Sequence, residues 1–253
     1  MREIGGILLD LDGVLYEGDT PIPNAVDAVR ELKEHYPIRF ITNTTRKTHD
    51  MVFEKLLRMG FDIESDSIFT ALDATAAFLI EKRSKGYFLL YEAVMDSFRE
   101  FESQRPDFVV VADAYTDFTY ERLNRAFRHL MDGAKLIAIA KNRYFKDSDG
   151  ALSLDAGGFV ALLEFAAEKE AMVLGKPSKS FFELACTSMG LEPNEVLMVG
   201  DDIESDVLGA KRAGLMGCLV KTGKFREEDL KRGIEPDCLL DSIADLPGLL
   251  FGV

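Results

Sequence analysis

Apolar residues fall along this chain in short continuous runs alternating with stretches of helical spacing. Ile7, Leu8 and Leu9, with Leu11 beyond one aspartate, read as a strand buried on both faces, as a central parallel strand is. Tyr16 to Pro23, marked by Gly and Pro, predicts a loop or small flap. Asn24 then stands as the N-cap of a helix that carries Val26, Val29 and Leu32 inward and is stopped by Pro37. Ile38 to Ile41 is a second short buried strand running into Thr42, so a βαβ unit is complete there. A second helix presents Val52, Phe53, Leu56 and Leu57 on one face with Gly60 past its end, and a third runs from about Leu72 to Glu81.

From Tyr87 a new series begins: a strand, a helix, the strand DFVVVAD, a helix, and the strand KLIAIA. The stripe Tyr120, Leu123, Phe127 and Leu130 is expected to face a core. Asn142 to Asp155 is polar and loop-like, with a hairpin through Leu152 to Leu154, and Phe159 to Glu168 reads as a helix. The first pattern then resumes. Met172 to Leu174 leads to Gly175-Lys176-Pro177, a helix from Ser178 to Met189, a strand over Val196 to Val199, Gly200-Asp201-Asp202, a helix to Ala213 and the strands LMGCLV and Cys238 to Leu240. One crossover helix fills the interval from Asp12 to Thr42, whereas Thr42 to Lys176 leaves room for an inserted domain of roughly 90 residues. The expected class is therefore α/β, a Rossmann-like parallel-sheet core with an inserted smaller α/β domain. The expected boundaries are 1–78 and 174–253 for the core and 79–173 for the insertion.

Charge narrows the partners. A formal net charge of −14 over 253 residues argues against nucleic acid or an anionic membrane, since both need a basic face. It leaves room for an anionic small molecule held by a metal ion, one lysine and backbone amides. Cys186, Cys218 and Cys238 show no CxxC spacing and read as three separate buried apolar residues in a reducing compartment. With no apolar run of membrane length and no signal-peptide pattern, the expected location is cytoplasmic.

Asp10 ends the first strand, and Asp12 follows two residues on, so the extended period of two brings both carboxylates to the same side before Gly13. Such a pair implies one raised pKa or a bound divalent cation, unless it is only a strand followed by a turn. The pentad DIESD offers an internal contrast, since it occurs at Asp62 to Asp66 and at Asp202 to Asp206, and only the second follows an apolar strand and Gly-Asp. The first copy reads as solvated turn and cap acids. Gly175-Lys176 is not a Walker A loop, because Pro177 stands where Ser or Thr is needed. Asp147 and Asp149 before Gly150 do not make a calcium loop, since Phe145 and Ala156 occupy positions that need acids. His35, His49 and His129 are scattered without ligand spacing.

The stretches DLDGV at Asp10, ITN at Thr42, GKP at Lys176, and GDD with Asp206 resemble, in order, the four motifs of the haloacid dehalogenase-like phosphatases. The long insertion after the second motif resembles the branch with a type II cap, which is p-nitrophenylphosphatase-like. The run 141–174 and VGDDIESDVLGAKRAG are most similar to its phospholysine phosphohistidine inorganic pyrophosphate phosphatase group. The resemblance implies a phosphohydrolase in which Asp10 is the nucleophile and forms an aspartyl-phosphate. Mg²⁺ would be held by Asp10, the carbonyl of Asp12, and Asp201. The Asp12 side chain would serve as general acid and base, Thr42 and Asn43 would bind phosphoryl oxygens, and Lys176 would supply the identified cation. Asp202 and Asp206 would form the surrounding support. The substrate would be a small phosphorylated metabolite, a phosphoamidate or pyrophosphate, and members with this cap pair through it, which implies a homodimer.

The cap would read the leaving group. Arg143, Tyr144 and Asp155 are its candidate contacts, next to a helix start whose free amides would suit an anion. The rival from another class is a non-enzymatic Mg²⁺-dependent phosphoacceptor module, which would take up about one phosphate per chain where an enzyme releases many.

Overall fold

The computed structural model describes residues 2–252 apart from 147–150. The Asp147, Asp149 and Gly150 of the calcium-loop comparison thus lie outside the described residues. The chain forms two compact units. The first comprises residues 1–42, 50–69 and 176–253, and the second comprises 43–49 and 70–175.

The first unit is built on a six-stranded sheet in the order Cys238–Leu240, Met216–Val220, Val196–Gly200, Gly6–Asp10, Ile38–Thr42, Ile68–Thr70. Gly6–Asp10 pairs in parallel with both Ile38–Thr42 and Val196–Gly200, with Leu8 opposite Arg39 on one side and Met198 on the other. That central position explains the uninterrupted apolar run, because Ile7, Leu8 and Leu9 are wholly buried and have no polar face to show. Helices pack their apolar stripes on the sheet through Val29, Leu32, Val52 and Leu56.

Three local expectations are corrected. Asn24 precedes the helix Ala25–Lys33 but has φ 59, a left-handed conformation that asparagine tolerates, and its side chain caps nothing. In the helix His49–Arg58, Leu57 turns outward at 44% exposure. Lys55 is buried in its place, donating to the Gly18 carbonyl at 2.5 Å with its ammonium 4.0 Å from the Tyr16 ring centre. Cys218 and Cys238 face each other in register on neighbouring parallel strands, Cα atoms 4.6 Å apart, and are joined as a disulfide. Sequence spacing could not show this, since the pairing depends on strand order. Cysteine usage therefore no longer bears on the compartment, and Cys186 alone is free and buried.

The inserted unit has its own parallel sheet, in the order Met172–Val173, Lys135–Ala138, Phe108–Val111, Gly86–Leu89. Its core joins Val109, Val111 and Leu136 to Leu130 and Leu163 from the helices Tyr120–Met131 and Ala156–Ala167. Tyr120, expected in the stripe, is 83% exposed, because it opens its helix and lies beyond the sheet's reach. The expected hairpin is present as Tyr144–Lys146 against Leu152–Leu154, antiparallel. No helix among the described residues is long and apolar enough to cross a membrane.

Candidate active site

Asp10 and Asp201 stand at the carboxyl ends of adjacent central strands, Asp10 as the last residue of one and Asp201 just past the other. Ligands gather at this edge of an open parallel sheet. Lys176 opens the return of the chain to the first unit, with a cis bond to Pro177. Its ammonium lies 2.7 Å from Asp10 Oδ1 and 2.7 Å from Asp206 Oδ1. The lysine is 3% exposed and Asp206 not at all. Burial alone would lower the Lys176 pKa, but Asp10 and Asp206 outweigh it and hold the group above its ordinary value.

The acids divide by what satisfies them. Asp206 has Lys176 on Oδ1 and accepts the Asp202 amide on Oδ2 at 3.1 Å. Its pKa is pushed up to about 6, chiefly by burial. Asp202 turns its Oδ1 to the amides of Glu204 and Ser205, both at 2.9 Å, and so caps the wide helical turn Ile203–Leu208. Burial would raise its pKa, but those amides prevail and the pKa is lowered. Asp201 Oδ2 accepts the Lys224 amide at 2.7 Å, while its Oδ1 is buried with no hydrogen-bond partner among the described residues. Burial, followed by the charge of Asp10, pushes the Asp201 carboxyl well above the usual range.

Oxygens of Asp10, Asp201 and Asp206 lie within 4.8 Å of one another. Three buried carboxylates, one with an orphaned oxygen, fit a hard divalent cation, whose preferred ligands are oxygens. Asp12 is exposed at the following turn and Thr42 is buried one residue past the Asp10–Ile41 pairing. Asn43 belongs to the inserted unit, where its side chain packs against Gly175.

One part of the site was missed from sequence. Thr222-Gly223-Lys224, just after the strand Met216–Val220, is fastened to the rest at three points. The Thr222 hydroxyl donates to the Gly13 carbonyl at 2.5 Å, the Gly223 amide to Glu17 Oε1 at 3.0 Å, and the Lys224 amide to Asp201. Gly13 (φ 87) and Gly223 (φ 67) both lie against Asp201 Oδ2, where any side chain would collide with it. Lys224 is also a second cation beside the acids. Burial would lower its pKa, but Asp201 first, then Asp10, Asp202 and Asp206, raise it. Its signal was a lysine one residue past a glycine at the carboxyl end of a buried strand.

Within the inserted unit, Arg143 and Tyr144 are exposed. Asp155 is 9% exposed and caps the helix Ala156–Ala167 by accepting the Ala156 amide at 2.6 Å. The Gly157 and Gly158 amides bond to the carbonyls of Asn142 and Asp155. The expectation of free amides there is therefore corrected, because the turn before the helix uses them. Sequence reading also passed over Arg46, whose Nε donates to Asp113 Oδ2 at 2.6 Å. The Arg46 guanidinium lies 4.6 Å from the Tyr115 ring centre and 4.9 Å from that of Phe145.

Acids, threonine and lysine at the strand ends of an open α/β core define a class, the haloacid dehalogenase-like enzymes. Models described as haloacid dehalogenase-like hydrolase and HAD-hydrolase-like match residues 7–104 and 173–246. Human haloacid dehalogenase-like hydrolase domain-containing protein 2 is 42% identical over 229 residues, 90% of this chain and 88% of that one. Human phospholysine phosphohistidine inorganic pyrophosphate phosphatase is 38% identical over 256 residues, 98% and 94% of the two chains. The p-nitrophenyl phosphatase of Archaeoglobus fulgidus superposes with a TM-score of 0.90 at 28% identity, over 97% of this chain and 98% of that one. The chain belongs to the haloacid dehalogenase-like hydrolase family and is an enzyme of its phosphatase branch.

Proposed function

We propose that this chain is a Mg²⁺-dependent phosphohydrolase that works through an aspartyl-phosphate on a small phosphorylated metabolite, phosphoamidate or pyrophosphate. The observation that carries the reading is the Asp10–Lys176–Asp206 ion-pair chain beside the orphaned oxygen of Asp201. Mg²⁺, held by Asp10, Asp201 and the Asp12 carbonyl, would screen the phosphoryl oxygens from the approaching carboxylate.

Everything else falls to the chain itself. An Asp10 oxygen forms a bond to phosphorus as the bond to the leaving group breaks, and the electron pair stays with the leaving atom, which takes a proton from the Asp12 carboxyl. Water then attacks the same phosphorus and gives a proton to the Asp12 carboxylate, and the Asp10 carboxylate departs. Asp12 is suited to this exchange because solvent reaches it, unlike Asp201 and Asp206. Lys176 holds Asp10 in place and meets the transferred phosphoryl charge, Asp206 keeps Lys176 oriented, and Asp202 fixes the turn that carries Asp206. Thr42 and the backbone at Asn43 donate to phosphoryl oxygens. The inserted unit is assigned the reading of the leaving group, with Arg143, Tyr144 and Asp155 as the side chains to substitute.

The test is a panel of phosphate esters, phosphoamidates and pyrophosphate with purified protein. Many phosphates should be released per chain with Mg²⁺, none with excess chelator, and activity should return when Mg²⁺ is restored. Rapid quenching should leave a phosphoryl group on the peptide containing Asp10. Uptake of about one phosphate per chain without release would favour a phosphoacceptor module instead.

A further inference from the structure

The five acids around the site must be offset, and the two lysines that offset them are held differently. Lys176 is enclosed and already engaged by two carboxylates at 2.7 Å each. It can answer the one phosphoryl group that meets Asp10 and has little left for anything beyond it. Lys224 is the reverse case. Its backbone is pinned by the bond from its amide to Asp201 and by the neighbouring bonds of Thr222 and Gly223 to Gly13 and Glu17. Its side chain, by contrast, is exposed and makes no ion pair among the described residues. A fixed backbone with a free ammonium at the mouth of an acidic site presents three donors to an incoming anion.

The charge of the substrate decides what such an ammonium is for. A monoester with an uncharged leaving group brings only the phosphoryl oxygens, which Lys176 and the cation can meet. A phosphoanhydride brings a second set of negative oxygens on the leaving side, into a site that carries Asp12 and Asp202 as well. Without a further cation those oxygens would face carboxylates. We infer that Lys224 is a specificity-determining residue that binds an anionic leaving group, and that the preferred substrates are phosphoanhydrides, of which inorganic pyrophosphate is the simplest.

The inference rests on the phosphohydrolase reading and leaves its steps intact. With pyrophosphate, an Asp10 oxygen bonds to one phosphorus, the bridging bond breaks, and the bridging oxygen keeps the electron pair, takes the Asp12 proton and leaves as orthophosphate. Lys224 contacts the outer oxygens of that departing phosphate and transfers no proton.

The experiment compares full-length wild type, Lys224→Met and Lys224→Arg on pyrophosphate and on p-nitrophenyl phosphate, with Mg²⁺ at fixed ionic strength. Loss of a charged hydrogen bond should cost Lys224→Met about thirtyfold in kcat/KM on pyrophosphate, mostly through KM, and less than about threefold on the aryl ester. Lys224→Arg should recover most of the difference. Equal losses on both substrates would overturn the inference and make Lys224 a support for Asp201. No loss on either would overturn it too, as would a wild type that turns over the aryl ester but not pyrophosphate. A wild type that hydrolyses neither would sink the phosphohydrolase reading, and the Lys224 inference would then be decided by binding alone. Calorimetric titration of pyrophosphate with Mg²⁺ into Asp10→Asn, with and without Lys224→Met, should show about tenfold weaker binding in the double variant. Identical affinities would overturn the role of Lys224 whatever the activity.

Discussion

The sequence Asp-Ile-Glu-Ser-Asp folds twice in this molecule, at Asp62–Asp66 and at Asp202–Asp206, and the copies share some features and not others. Their isoleucines, Ile63 and Ile203, are both buried, and Glu64 and Glu204 are both exposed. The aspartates part company. Asp62 and Asp66 are solvated, and the nearest cation, Lys33, reaches only the Asp62 carbonyl and Glu64. Asp202 caps the turn that follows it, and Asp206 is sealed against Lys176. Five residues therefore specify a local turn and one inward side chain. What the last carboxylate does is set by what the rest of the chain puts opposite it, here a lysine from elsewhere in the sequence and a strand end that excludes water.

The widest test of that contrast asks whether the acids gathered at the second copy are the reactive ones. Asp10→Asn keeps the shape of the residue paired with Lys176 and removes its nucleophilic oxygen. Turnover should fall about 10⁴-fold or more with an unchanged circular dichroism spectrum. Near-normal phosphate release would move the chemistry away from this cluster altogether.

A smaller effect separates the copies directly. Asp206→Asn releases one of the two carboxylates holding Lys176, and kcat should drop about 10- to 100-fold, as when the partner that orients a reactive group is lost. Asp66→Asn, the same change at the same place in the first copy, should stay within about twofold. Equal behaviour of the two variants in a steady-state assay would erase the distinction. The pH dependence sharpens it. The folded pKa of Asp206, about 6, lies above its ordinary value of 3.8, so the folded state binds the proton more tightly than the unfolded one. In chelator, wild-type stability should therefore decline as pH rises from about 4 to about 6, and Asp206→Asn should flatten that decline in denaturant titrations.

How much of this was legible in advance depends on whether the cause was local. The parallel core could be read because Ile7 to Leu9 and Val196 to Val199 are buried on both faces and must be apolar throughout. Asp10, Lys176 and Asp201 could be singled out because each follows or adjoins such a run, and the family resemblance supplied their order. Lys224 could not be weighed the same way, since its place depends on Thr222 and Gly223 meeting Gly13 and Glu17, some 200 residues earlier in the chain. Arg46 escaped for a similar reason, because Asp113, Tyr115 and Phe145 meet it only after the inserted sheet has formed. The short strand Ile68–Thr70 was hidden by its length and by the turn acids before it. The Cys218–Cys238 pairing follows from the order of two edge strands, which no local pattern encodes.

The smallest effect compares the first aspartate of each copy. Asp202 accepts two amides at 2.9 Å, so Asp202→Ala should lose about 1 kcal/mol, the usual cost of removing a helix cap, while Asp62→Ala should stay within about 0.5 kcal/mol. Asparagine can accept the same two bonds, so Asp202→Asn should keep most of the stability at neutral pH. Acid separates it from wild type. The folded pKa of Asp202 lies below 3.8, hence its carboxylate contributes stability that is present above about pH 4 and lost as pH falls through the lowered value. That slope is opposite in sign to the one from Asp206, four residues away, where burial prevails over the hydrogen bonds. Denaturant titrations from pH 3 to pH 7 in chelator should therefore show Asp202→Asn without part of the acid-side loss and Asp206→Asn without the decline above pH 4. If both variants change the same limb of the curve, the two acids share one environment, and the division of this copy into a cap and a buried partner is wrong.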